Sequence, residues 1–173
     1  MQSSPTSTDE PSLASTVGSM AAAIAGWLSP GDVADLRRLA PDDVSCAAFW
    51  RMLALHSHLV PEGGPIRDEV ERRWMCILQA MAVMAGLHNP TVPLGRALAE
   101  ADVAEQRLLR LLRASGPTLV DAVRVTAQHL AQKAVDSNHV DIARLVLSDG
   151  GPNEESVRRA IARSYYAHTA KEA

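Results

Sequence analysis

Residues 104–114 read AEQRLLRLLRA, and this stretch decides the fold class. Leu108, Leu109, Leu111 and Leu112 recur at the three-and-four spacing that lines one side of an α-helix, whereas a half-buried strand would alternate apolar and polar residues. Arg107, Arg110 and Arg113 fall at i, i+3 and i+6, which aligns three guanidinium groups along about two turns. The spacing predicts a helix over 104–114 with a core stripe and a row of cations.

The same signals recur along the chain. Leu13 to Leu28 is an Ala-rich helical segment, and Ser29-Pro30 gives an N-cap with Pro at the first position of a short helix to Leu39. Pro41 breaks it, and Asp42 or Asp43 is the expected cap of the next helix, Val44 to about Leu59. Pro61, Gly63, Gly64 and Pro65 form a loop. Asp68 to Gly86 is a long apolar helix ended by glycine. After the loop His88 to Pro93 come Leu94 to Ala101, the 104–114 helix, and Thr118 to about Val135 beyond the Ser115-Gly116-Pro117 break. Val140 to Leu147 and Glu154 to Ala170 complete the set, with Asn153 as the expected cap of the last. Nothing after Asp149-Gly150 alternates as a strand should. The fold class is all-α, a bundle of about eight to nine helices in two packed lobes. The expected organisation is a flexible acidic Ser/Thr/Pro-rich tail over 1–15, an N-terminal lobe over 16–90 and a C-terminal lobe over 91–173, with a seam near 88–93.

Composition narrows the function. The chain has 173 residues, 47% hydrophobic, with 17 basic and 20 acidic side chains. A chain this apolar and this near to neutral is not disordered along its length. Near neutrality also excludes a binder that is basic all over, although it leaves room for a basic face. Residues 1–36 hold four acids and no base, so the acidic excess belongs to the leader and the rest is balanced. No basic residue precedes Arg37, which removes the signature of a secretory or transit peptide; the expected location is the cytoplasm. The longest apolar run, Trp74 to Leu87, is too short to span a bilayer and reads as the central helix of the bundle.

Recognisable chemistry is absent. There is no HExxH, no ExxH pair, no Walker A loop and no GxGxxG. The six histidines are scattered, and His56 and His58, two apart, do not converge as metal ligands must. Cys46 and Cys76 lack CxxC spacing and read as buried thiols. Six aromatic residues are too few and too clustered for a platform that stacks successive bases. We therefore expect no catalytic residues, metal or cofactor.

Arginine placement is the informative pattern. Fifteen of the seventeen basic residues are Arg, whose planar fork suits phosphate and carboxylate. Between Val103 and Val135 five basic residues face two acids. Further pairs are Arg37-Arg38, Arg72-Arg73 and Arg158-Arg159 with Arg163, the last four apart on one face; the bland alternative for any of them is a solvated face with weak ion pairs such as Glu155 with Arg159, and Arg72-Arg73, beside Glu69 and Glu71, reads that way. For the Arg107 row the residues alone leave phosphate contact and bland surface both open.

Four segments together resemble the CasB family, the small subunit of the type I-E CRISPR Cascade complex. They are Leu36-Arg37-Arg38, Phe49-Trp50-Arg51, Leu94-Gly95-Arg96-Ala97-Leu98 as the family's LGRAL, and Glu105 through Ala114. Their order and spacing agree with the family from about Gly26 to Tyr166. The resemblance implies a non-enzymatic two-lobed helical protein, present in two copies beside other Cascade subunits. It also implies basic side chains offered to the target and displaced DNA strands near guide RNA, stabilising the R-loop, with sequence read by base pairing. Carried over by position, the candidate contacts are Arg38, Arg96, Arg107, Arg113 and Arg124, with Arg110, Arg37 and Arg51 beside them. The alternative is a structural helical adaptor whose arginines meet protein partners. No membrane association is expected.

Overall fold

From Trp74 to Ala82 every residue except Gln79 is buried, and the helix carrying this run organises the protein. The computed structural model describes residues 11–40 and 43–172. Among them are nine α-helices: α1 (Leu13–Gly26), α2 (Pro30–Arg37), α3 (Ala47–Leu55), α4 (Pro65–Val83), α5 (Leu94–Glu100), α6 (Glu105–Arg113), α7 (Gly116–Lys133), α8 (His139–Leu147) and α9 (Glu154–Glu172), with one 3-10 turn at Ser57–Leu59. No strand occurs among the described residues. The all-α expectation holds, and α4 is the central helix, packed by α1, α2, α7 and α8. Helices of both halves share one apolar core that runs from Val17 to Tyr165.

Helix starts follow local capping chemistry. Ser12 accepts from the Ser15 amide, Ser29 from Asp32 with Pro30 in the first turn, and Asn138 from Val140, each satisfying an amide that would otherwise lack a partner. Helix α1 thus begins inside the span read as tail; residues 1–10 and Asp42 lie outside the described residues. Asp43 does not cap a helix. Its carboxylate accepts from the Ser45 amide and hydroxyl, making a local turn, and α3 opens later behind Cys46. Helix α4 starts at Pro65, three residues before the expected Asp68, because Pro suits the first helical position and Gly64 takes the turn before it at φ +83°.

Three polar ties lock the helices from a distance. Arg37 Nε donates to the Ala82 carbonyl at 2.9 Å and Gln79 Nε2 to that of Leu39 at 2.6 Å, fixing α2 on α4. Arg73 donates to the carbonyls of Leu147 (2.9 Å) and Asp149 (3.0 Å), so this residue is a brace between α4 and the end of α8 as well as a partner of Glu69. Arg158 donates to Leu112 (2.9 Å) and Ala114 (2.7 Å), closing the carbonyls that the end of α6 leaves open.

Two connections are zipped together. The Ser137 amide donates to the Leu87 carbonyl, Asn89 to Ser137 and Asn138 to Val92, a short parallel bridge between the segments before α5 and α8. Behind it His139 is buried with neither ring nitrogen hydrogen bonded among the described residues. Its ring centroid lies 4.9 Å from that of His88, whose Nδ1 accepts the His139 amide at 3.2 Å.

Candidate nucleic-acid interface

The motif 94–98 sets the geometry of the candidate site. Leu94, Ala97 and Leu98 are buried, and the Leu94 amide donates to Asp141 Oδ2 at 3.0 Å, which caps α5 from α8. Gly95 faces α9 at a distance no side chain would allow, since a Cβ there would stand 2.1 Å from the Ile161 carbonyl oxygen. The Arg96 amide donates to Ser164 Oγ at 3.1 Å. With α5 held on α9, the next turn delivers α6 to the surface, and Tyr165 Oη secures the link by donating to the Val103 carbonyl at 2.6 Å.

Helix α6 then divides as its sequence predicts. Leu108 and Leu111 are buried, Leu109 and Leu112 half-buried, and Arg107, Arg110 and Arg113 exposed. Between α6 and α7 lies a groove of about 890 Å³ whose walls include Leu98, Val103, Leu111, Val125 and all three of these arginines. Its floor is apolar and its rim cationic, and Val125 is 53% exposed in the α7 wall.

Pairing separates this row from most of the other arginines. Arg38 holds Asp35 (3.0 Å), Arg96 holds Glu100 (2.7 Å) and Arg124 holds Asp121 (3.1 Å). Arg51 binds Asp32, and Arg37 is the brace already described. By contrast the side chains of Arg107, Arg110, Arg113 and Arg163 form no ion pair or hydrogen bond with any described residue. Of the sequence candidates, the fold therefore brings Arg107, Arg110 and Arg113 together along the groove. Arg38, at the end of α2, does not line it, nor does Arg96. Arg124 is also outside the groove, turned by the helical period away from the Asp121, Val125 and His129 face that forms the wall.

The one acid on α6 is engaged elsewhere. Glu105 Oε1 accepts the Tyr166 hydroxyl at 2.7 Å, and this hydrogen bond to the carboxylate holds the phenol above its usual pKa. Sequence reading could not separate Arg158 from Arg159.

No group of three or more histidine, cysteine or acidic residues able to hold a metal occurs among the described residues. No described helix is long and apolar enough to cross a membrane. Burial pushes the Cys76 thiol up to about 12, the opposite of what a nucleophile needs.

Residues 32–166 match the family model described as CRISPR-associated protein Cse2. Among solved structures, one chain of E. coli Cascade bound to a PAM-containing double-stranded DNA target is similar at TM-score 0.68 and 21% identity, over 89% of this chain and 96% of that one. M. ruber CasB is similar at TM-score 0.67 and 21% identity, over 94% and 97%. No curated protein sequence matches.

Proposed function

Because this chain belongs to the CRISPR-associated protein Cse2 family, we propose that it is a non-enzymatic small subunit of a Cascade complex. In this reading it contacts target and displaced DNA strands through the α6 arginines and stabilises the R-loop in antiviral defence. Its partners are the other Cascade subunits, a second copy of itself and the DNA strands near guide RNA. The observation that carries the reading is the unpaired row Arg107, Arg110 and Arg113. Three exposed guanidinium groups without carboxylates repel one another and are stabilised by a polyanion, whose bound counterions they release. Arg38, Arg96 and Arg124 contribute by exchange: each leaves a surface carboxylate, an ion pair worth under about 1 kcal/mol, for a phosphate. The similar E. coli chain comes from a Cascade bound to a DNA duplex, which supports the same role.

The test is charge reversal of Arg107 and Arg113 in the assembled complex. R-loop formation should fall while guide loading is retained, and target binding unchanged across a salt titration would sink the reading. The apolar floor of the α6–α7 groove favours a second reading, a helical adaptor docking a protein partner there. It predicts that the same substitutions eject the chain from the complex, seen by copurification, before DNA is added.

A further inference from the structure

Helices α6 and α7, the walls of the groove, meet at a short corner: α6 ends at Arg113, Ala114 and Ser115 follow, and α7 starts at Gly116. Arg113, Ala114 and Thr118 line the groove at that end, so the way the corner is held sets where Arg113 stands and how the two walls part. Helical bonding runs out here. The backbone passes from extended at Ala114 (ψ 145°) to a positive φ of 52° at Gly116, and the carbonyls of Leu112 and Ala114 and the amide of Gly116 need partners from elsewhere.

One ion pair supplies all three. Arg158 on α9 donates to Leu112 at 2.9 Å and to Ala114 at 2.7 Å, the two carbonyls on either side of Arg113. Asp149, just beyond α8, accepts from Arg158 at 3.2 Å through Oδ1 and from the Gly116 amide at 2.8 Å through Oδ2. Its own carbonyl takes Arg73 of α4 at 3.0 Å, which ties the pair to the central helix. Side-chain exposures of 13% for Asp149 and 16% for Arg158 leave neither placed to meet a phosphate.

We propose that Asp149 is a positioning residue of the candidate nucleic-acid interface: through Arg158 and the Gly116 amide it fixes the α6–α7 corner, and with it the place of Arg113 at the end of the groove. This rests on the reading that the α6 row contacts nucleic acid. The sign of its effect is distinctive. On charge alone, removing an acid beside a cationic row strengthens attraction to a polyanion. A residue that positions Arg113 does the reverse, and its loss weakens binding although the chain becomes more positive. Asn at 149 keeps the shape but offers one acceptor oxygen where two donors arrive, so either Arg158 or Gly116 loses its partner.

The experiment measures binding of a double-stranded DNA target by the assembled complex as a function of salt. The variants are Arg113→Ala, Asp149→Asn, the two together, Arg158→Lys and, as a control on removing an exposed acid, Glu155→Gln. Each lost phosphate contact lowers the slope of log affinity against log salt by about 1. Arg113→Ala, Asp149→Asn and Arg158→Lys should each show that loss, the double variant no more than either alone, and Glu155→Gln none. A full or steeper slope for Asp149→Asn beside a reduced one for Arg113→Ala overturns the positioning role and leaves the α6 reading standing. A loss of about 2 in the double variant overturns it too, because independent effects add. A full slope for Arg113→Ala removes that residue from the α6 reading and this inference with it. An equal loss for Glu155→Gln assigns the effect to acid removal in general and overturns the role of Asp149. Thermal melting identifies the folded variants; should Asp149→Asn fail to fold, Arg158→Lys, which keeps every charge but cannot span both carbonyls, decides by the same outcomes.

Discussion

The backbone of Ile161 occupies the space where any residue other than glycine at position 95 would put its Cβ, 2.1 Å from the Ile161 carbonyl oxygen; the Tyr165 amide nitrogen stands 2.7 Å from the same point. Helices α5 and α9 are therefore in direct backbone contact. Neither atom belongs to a flexible side chain, so relief requires the helices to part.

Gly95→Ala should accordingly destabilise the chain by about 3 kcal/mol, at the upper end of what forced overpacking costs. Urea unfolding measures it, and a midpoint within error of the parent would refute the close approach. Because α5 leads into α6, the same variant should loosen α6, read as faster amide exchange at Leu108 and Leu111.

Arg158 and Arg159 are neighbours with opposite expected costs. Arg158 is mostly buried, donates to two carbonyls at the end of α6 and pairs with Asp149 and Glu154, so Arg158→Ala strands several polar groups and should cost about 3 kcal/mol. Arg159 holds only the exposed Glu155, and Arg159→Ala should cost under about 1 kcal/mol. Equal costs in denaturant titration would contradict the brace.

Acid should unfold the protein through His139. Burial holds its pKa down to about 3 from an ordinary 6.5, with the neighbouring His88 adding to the effect. The folded state thus binds this proton less readily than the unfolded one. The stabilising effect of a neutral His139 is complete above pH 6.5 and is lost progressively as pH falls toward 3, reaching about 2 kcal/mol by pH 5. Stability measured between pH 7 and 5, above the range where carboxylates titrate, should decline in the parent and much less in His139→Leu. A parallel decline in both would assign the acid sensitivity to other groups.

Cys46 and Cys76 are both buried and free, and the Cys76 thiol is pushed up to about 12. Iodoacetamide at pH 8 should leave both unmodified in the native chain and label both in guanidinium, as mass spectrometry would show. Prompt native labelling of Cys76 would mean that α4 opens far more readily than its packing implies.

How far the sequence alone carries can be judged from particular residues. The α6 stripe was legible because helix period and amphipathicity are local properties, and the same holds for Ser29-Pro30 and for the burial of Trp74 to Ala82. Position 95 was legible as part of a motif, but the reason for glycine there is a carbonyl 66 residues later in the chain. Arg158 and Arg159 look alike in sequence, and what separates them is the open end of α6, brought near only by the folded bundle. Arg73 was read as a solvated partner of glutamate for the same reason, since its second role depends on the end of α8. Unpaired charge likewise cannot be read from spacing, because which carboxylates stand within reach is decided by tertiary packing.

The paired connections before α5 and α8 limit where the chain can be lengthened. Leu87, Asn89 and Val92 exchange hydrogen bonds with Ser137 and Asn138, so an added residue in either segment would put that segment out of step with the other. Residues 61–64 are all exposed and their backbone hydrogen bonds are local, Gly63 to Pro61 and Arg67 to Gly64, so they carry no such obligation. A peptide tag or fluorophore-bearing insertion belongs there, at a loop tip free of long-range hydrogen bonds, where it would report on the protein without entering its helical core.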